Sequence, residues 1–175
     1  MALEKIQFPI GRFNLPEVIT EQIRSEWISA IASLPLKLNN EVGQLSDNEL
    51  ELKYRSGGWT IRQIVHHCAD SHMNSFIRFK LALTEDKPVI KPYFEDRWAE
   101  LSDTKKMSIE SSLKLIDAIH QRWAYLLEDM SEVQFARTFV HPEHGKTFRL
   151  DEMLGFYAWH GNHHLAHIID AKNNN

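Results

Sequence analysis

The sequence predicts an all-α fold: an antiparallel four-helix bundle with a short hairpin or extended loop before the last helix. Three observations carry that prediction. Four long segments place apolar residues at helical spacing, strand-like alternation is scarce, and turn-forming residues gather between the segments. The first helix is expected from about Pro16, behind Asn14 as its cap, to about Leu36, with Ile23, Trp27, Ile31 and Leu34 in its apolar stripe. Ser46-Asp47-Asn48-Glu49 can open a short helical turn, and Ser56-Gly57-Gly58 breaks the chain. Thr60 with Gln63 fits a capping box that starts a second helix through Ile64, Val65, Cys68, Phe76, Phe79 and Leu83. Pro88 and Pro92 mark a long connection, with a short helix expected near Glu95–Leu101. Ser108 can cap a third helix, in which Leu113, Ile116, Ile119, Trp123 and Leu127 keep the helical period. Phe139 to Phe148, around Pro142 and Gly145, reads as the hairpin or extended loop, and the fourth helix runs from about Asp151 to Ala171.

A length of 175 residues is expected to form a single domain, 1–175, large enough to bury a continuous core. Hydrophobic residues at 43% and charged residues at 25% match ordinary globular chains rather than disordered ones. The opening Met1-Ala2-Leu3-Glu4-Lys5-Ile6 lacks the apolar run of a signal peptide, and no later stretch approaches the ~18 apolar residues of a membrane span. A cytoplasmic protein with no membrane partner is expected. The single cysteine, Cys68, excludes an internal disulfide framework. A net charge of −4 supplies no basic field for phosphates, so nucleic acid is not an expected partner.

Ten histidines are the unusual feature, because neutral imidazole is the commonest metal ligand. The last helix carries His160, His163, His164 and His167. With His160 at 0° on a helical wheel, His164 falls at about 40°, His167 at about −20° and His163 at about −60°, while the apolar face centres near 100°. His160 and His164 lie nearest that face and one turn apart, so they can converge on one ion. His163 and His167 repeat the spacing but are expected to face solvent. A tight site needs a third ligand from another element. The second helix offers His66, His67 and His72, and periodicity does not choose among them: His72 lies closest to the apolar face, as a core residue or an alternative ligand.

Gly58-Trp59-Thr60-x-x-Gln63-x-x-x-His67-x-x-Asp70-Ser71, followed by His160-x-x-x-His164, resembles the DinB superfamily, and more specifically its YfiT-type metal-dependent hydrolases. Lys87-Pro88-x-x-Lys91-Pro92-Tyr93, Trp98-Ala99-Glu100-Leu101 and His141-Pro142-Glu143-x-Gly145 extend the similarity over nearly the whole chain. The resemblance implies a four-helix bundle and a metal held by His67, His160 and His164, with zinc or nickel as the ion. It also implies a homodimer, a small-molecule substrate, and either hydrolysis or transfer of a low-molecular-weight thiol such as bacillithiol.

Three protein ligands leave a further position for water or substrate. Metal-activated water attacking an electrophile gives a hydrolase, and a bound thiolate gives an S-transferase. A metal-stabilised scaffold without turnover is a third reading. Asp70, one turn beyond His67, is either an orienting partner for a ligand imidazole or a surface carboxylate. Cys68 is expected as a small buried hydrophobe. His141 and His144 flank Pro142 in what is expected to be a plain turn, and Trp59, Trp98, Trp123 and Trp159 are expected to complete the core.

Overall fold

The computed structural model describes residues 3–143 and 145–174. Its elements are α1 (Leu3–Gln7), α2 (Glu21–Val42), α3 (Asp47–Leu50), α4 (Ile61–Thr84), α5 (Glu95–Trp98), α6 (Ser102–Lys106), α7 (Glu110–Glu128), α8 (Glu132–Phe135), β1 (Thr138–His141), β2 (Lys146–Arg149) and α9 (Leu150–Asn173). The long helices α2, α4, α7 and α9 form the expected four-helix bundle, corrected in one respect: α2 with α9, and α4 with α7, run parallel rather than antiparallel, because long connections return the chain. Strands β1 and β2 form the expected hairpin with Phe139 opposite Phe148.

Local chemistry accounts for the boundaries. The Thr60–Gln63 capping box is present: Gln63 N–H donates to Thr60 Oγ1 at 3.2 Å, and Thr60 N–H donates to Gln63 Oε1 at 3.0 Å. Helix α2 differs from expectation at both ends. It starts at Glu21, not Pro16, because Thr20 rather than Asn14 caps it, accepting from the Ile23 N–H at 3.3 Å. It also continues past Leu36 to Val42, with Pro35 inside it. Pro35 has no N–H for the carbonyl of Ile31, four residues back, and His120 Nδ1 takes that carbonyl at 2.6 Å. Helix α7 begins one residue later than Ser108 would place it, although Ser108 Oγ still accepts from Glu110 N–H at 3.3 Å.

Around the bundle the order is α2, α7, α4, α9, so α2 and α4 face each other across one diagonal and α7 and α9 across the other. Side-chain pairs give the directions. Trp27 meets Gly155, Leu34 meets Gly161 and Glu41 pairs with Lys172, so α2 and α9 run parallel. His66 to Ser112, His72 to His120 and Phe79 to Trp123 make α4 and α7 parallel too. His67 to His164 and Ser71 to Tyr157 make α4 and α9 antiparallel. Parallel neighbours that follow one another in the chain need a connection as long as the helix itself. Residues 85–109 are that connection. They leave the end of α4, pair with the hairpin through Ile90 N–H to Val140 O at 3.0 Å, and reach the start of α4 where Gln63 Nε2 donates to Ala99 O at 2.9 Å.

The core lies in two clusters, one around Trp123, Phe79, Phe139 and Leu154, the other around Leu38, Ile61, Ile64 and Ile168. Between them the bundle interior is filled with imidazoles rather than aliphatic side chains: His72 and His120 are both 0% exposed. Helices α2 and α9 can approach closely only because α9 carries glycine at the contact. A methyl group on Gly161 would lie 2.5 Å from Leu34 Cδ2. Overpacking of about 1–3 kcal/mol, offset by roughly 1 kcal/mol of helix propensity gained on replacing glycine, should make Gly161→Ala less stable by up to about 2 kcal/mol, read as a lower urea midpoint. In a Leu34→Ala background, which itself costs about 2–5 kcal/mol, most of that increment should vanish. Strictly additive losses would mean that the two helices are not held at this contact.

Candidate metal centre

The ligand atoms of His67, on α4, and of His160 and His164, on α9, lie within 4.8 Å of one another. Antiparallel packing of α4 on α9 brings them together. His160 and His164 stand one turn apart on α9, with ring centroids 4.5 Å apart, and His67 faces both, at 5.3 and 4.8 Å. All three are less than a tenth exposed, and all three line a cavity of about 720 Å³, within the range of small-molecule sites. His67 Nε2 and His160 Nε2 are 3.3 Å apart. That is long for a hydrogen bond, and it equals the edge of about 3.3–3.4 Å between two nitrogens bonded at about 2.0–2.1 Å to a tetrahedral ion.

Burial keeps the rings neutral. Loss of hydration pushes His67 down to about 4 from its ordinary 6.5, with a smaller contribution from His163, and pushes His160 and His164 well below 6.5. Neutral imidazoles present lone pairs, the form in which histidine binds a metal.

Which nitrogen presents the lone pair is fixed for His160 by a chain of hydrogen bonds that begins at the proline in α2. The Ile31 carbonyl can only accept, so His120 Nδ1 carries the proton. Burial pushes His120 down to about 4, so its ring is neutral and its Nε2 accepts. The donor to it is His72 Nδ1, at 2.9 Å. His72 is neutral for the same reason, so its Nε2 accepts in turn, from His160 Nδ1 at 3.1 Å. The remaining nitrogen of His160, Nε2, therefore holds its lone pair toward His67. His72 is thus a buried, hydrogen-bonded residue that orients a ligand candidate.

Asp70, by contrast, makes no side-chain hydrogen bond to an imidazole among the described residues; burial, then Asp103, raises it to about 6. His66 braces α4 to α7, with Nδ1 2.7 Å from Ser112 Oγ and Nε2 3.3 Å from the Met107 carbonyl. Cys68 is fully buried and its thiol is pushed up to about 12, as expected of a small hydrophobe.

The expectation that His163 and His167 face solvent is corrected: they are 7% and 3% exposed. The amino-terminal segment covers that side of α9. His167 Nε2 donates to the Gln7 carbonyl at 3.1 Å, Tyr54 stacks on His167 at 3.9 Å, and Trp159 stacks on His163 at 4.6 Å. With His164 they form a second histidine group, but His167 does not line the cavity. The wheel missed this because it assumes one buried face, whereas α9 is covered on both sides.

The tryptophans divide. Trp123 is fully buried in the core, while Trp59 and Trp159 form cavity walls, Trp59 with its ring 4.6 Å from that of His67. His141 also lines the cavity from the hairpin, and His144 lies outside the described residues. No helix among the described residues is long and apolar enough to cross a membrane.

Residues 37–168 match the family model of the DinB superfamily. A protein of Oceanobacillus iheyensis is 54% identical over 93% of each chain, and YfiT of Bacillus subtilis is 44% identical over 98% of this chain and 97% of its own; both bear the name "Putative metal-dependent hydrolase". The solved structure of Bacillus subtilis YfiT, described as an unusual four-helix bundle, superposes with a TM-score of 0.94 at 44% identity, covering 97% of both chains. A match over most of the length, carried by sequence and by bundle topology together, places this chain in the DinB superfamily.

Proposed function

We propose that this chain is a metal-dependent hydrolase whose centre is a single zinc or nickel ion held by His67, His160 and His164. The observation that carries the reading is the convergence of three buried, neutral imidazoles on a cavity able to admit a small molecule. The relatives' names point the same way. Among the described residues no carboxylate or thiol joins the three histidines, so one side of the centre faces the cavity. When bound, the ion supplies Lewis acidity, polarising a substrate oxygen and lowering the pKa of water.

The chain's own residues do the rest. His72 holds the His160 ring in one tautomer and raises its basicity by accepting a hydrogen bond from its Nδ1–H. Trp59 and Trp159 shield the histidines and give the cavity an apolar wall. Ser71 and Tyr157, with their oxygens 3.5 Å apart, place neutral donors on the same surface.

Purified protein is expected to carry about one equivalent of metal by elemental analysis, and His67→Ala, His160→Ala and His164→Ala should each lose most of it together with hydrolysis of an ester and amide panel. Equal metal in all four proteins would overturn the ligand assignment, and metal without hydrolysis would overturn the reaction. His72→Leu keeps the three ligands but removes the acceptor for His160 Nδ1. Its metal affinity, from competition with a chelator, should fall by roughly 10–100-fold. An unchanged affinity would show that the hydrogen-bond chain does not act on the ligand.

Stability of the metal-free protein should depend on pH with a fixed sign. His67, His120 and His163 are depressed to about 4 in the folded state, burial being the first cause for each. Between about 4 and the ordinary 6.5 the unfolded chain therefore binds protons that the native state refuses. Their stabilising contribution is complete above 6.5 and is lost as pH falls toward 4. Urea midpoints should decline steeply from pH 7 to pH 5; a flat profile would contradict the buried neutral state.

A further inference from the structure

Among the described residues, Arg78 is a buried cation with no hydrogen bond and no ion pair. It lies on α4 about three turns beyond His67 and about 20° around the helix from it, so both side chains share one face. Both line the cavity. Arg78 is 8% exposed, its Nε is buried without a hydrogen bond, and none of the ion pairs among the described residues includes it. Arg62, on the same helix and equally buried at 6%, shows what a satisfied guanidinium looks like here. It donates to Glu51 at 2.8 Å, to Asp47 at 2.9 Å and to the Met107 carbonyl at 3.0 Å. A guanidinium removed from bulk water without a carboxylate or carbonyl is costly, and it persists where a ligand completes it.

We propose that Arg78 is the anchor for a carboxylate carried by the substrate, and that the cavity takes small monocarboxylates. The planar guanidinium offers a pair of parallel N–H donors that match the two oxygens of a carboxylate. Charge sets the valence. Away from the histidine end, Arg78 is the one side-chain cation lining the inner cavity among the described residues and matches one carboxylate there, while the acids around the cavity, Glu95, Asp96 and Glu143, sit exposed at its rim, where they disfavour a second. The second arginine around the cavity, Arg97, is exposed, with its guanidinium 4.2 Å from the Phe94 ring centroid. Along the wall between Arg78 and His67 stand the hydroxyls of Ser71 and Tyr93, so the surface joining the two ends is polar but carries no carboxylate. A substrate with its carboxylate on Arg78 directs the rest of its chain along α4 toward the histidines. The inference deepens the hydrolase reading by naming the substrate class, but the subsite itself needs no metal.

The test is read on metal-free protein. Binding of hexanoate and of 1-hexanol is followed by fluorescence of Trp59 and Trp159, both in the cavity wall. Wild type should bind hexanoate roughly tenfold or more tighter than 1-hexanol, the discrimination given by a charge-assisted hydrogen bond. In Arg78→Met the ratio should fall to about one with 1-hexanol binding retained, and in Arg78→Lys, which keeps the charge but not the fork, it should lie between. Circular dichroism checks that each variant folds; if the methionine variant does not, the wild-type ratio and the lysine variant decide. A ratio near one in wild type, no response to hexanoate, or discrimination that survives in Arg78→Met overturns the proposal. Inorganic phosphate bound more tightly than hexanoate through Arg78 overturns the carboxylate assignment. Metal analysis of the histidine variants tests the metal centre separately, so either reading can fall without the other.

Discussion

An imidazole removed from water is held neutral and is costly without partners for its ring nitrogens; this bundle buries several, of which His120, His72 and His160 are linked in one chain while Nδ1 of His163, His164 and His167 has no partner among the described residues. The solution runs from the main chain outward. Pro35 leaves the Ile31 carbonyl without its helical N–H, His120 donates to that carbonyl, His72 donates to His120, and His160 donates to His72. Each neutral ring has one donor and one acceptor, so fixing the first tautomer fixes them all. A helix-interior proline, ordinarily a cost of about 3 kcal/mol, thereby orients a histidine on α9 through side chains of α7 and α4.

Topology then turns that interior into a cavity with walls. Parallel packing of α4 and α7 forces residues 85–109 to travel back along α4, and this return places Pro92 and Tyr93 beside the face that carries His67, Ser71 and Arg78. The hairpin closes the same opening from the other side, through Phe139, His141 and Phe148, and is tied to the returning segment at Ile90 and Val140. A bundle with short loops between antiparallel neighbours would have neither wall. The long connections that look like departures from a simple bundle are what shape the site.

Much of this was legible in the residues because it depends on local chemistry. The Thr60–Gln63 cap, the hairpin around Pro142 and Gly145, and the convergence of His160 and His164 each follow from spacing alone. Other features depend on neighbours that periodicity does not see. The start of α2 was misplaced because Asn14 and Pro16 form an acceptable local signal, while Thr20 forms the cap that is used. Its end was placed too early because a proline reads as a terminator, and the carbonyl it frees is satisfied from α7. The wheel turns His163 and His167 toward solvent because it does not see Gln7 and Tyr54 closing over His167 or Trp159 stacking on His163. Among His66, His67 and His72 periodicity could not choose; the resemblance singled out His67, and the packing of α4 against α9 gives each of the three a distinct position.

The absence of acidic groups from the interior chain follows from the same electrostatics. A carboxylate behind His160 would bring a negative charge into a region where burial already pushes the imidazoles well below their ordinary values, and it would favour their protonation. A neutral relay ending at a main-chain carbonyl orients the ring without that penalty. It also leaves the donor set uncharged, so a divalent ion held there keeps its full positive charge toward the cavity, where Arg78 is positive as well. With the carboxylates of Glu95, Asp96 and Glu143 confined to the exposed rim, the inner cavity is electrostatically suited to electron-rich oxygen groups at both ends. The separation between His67 and Arg78, about three turns of α4, is set by the helix itself.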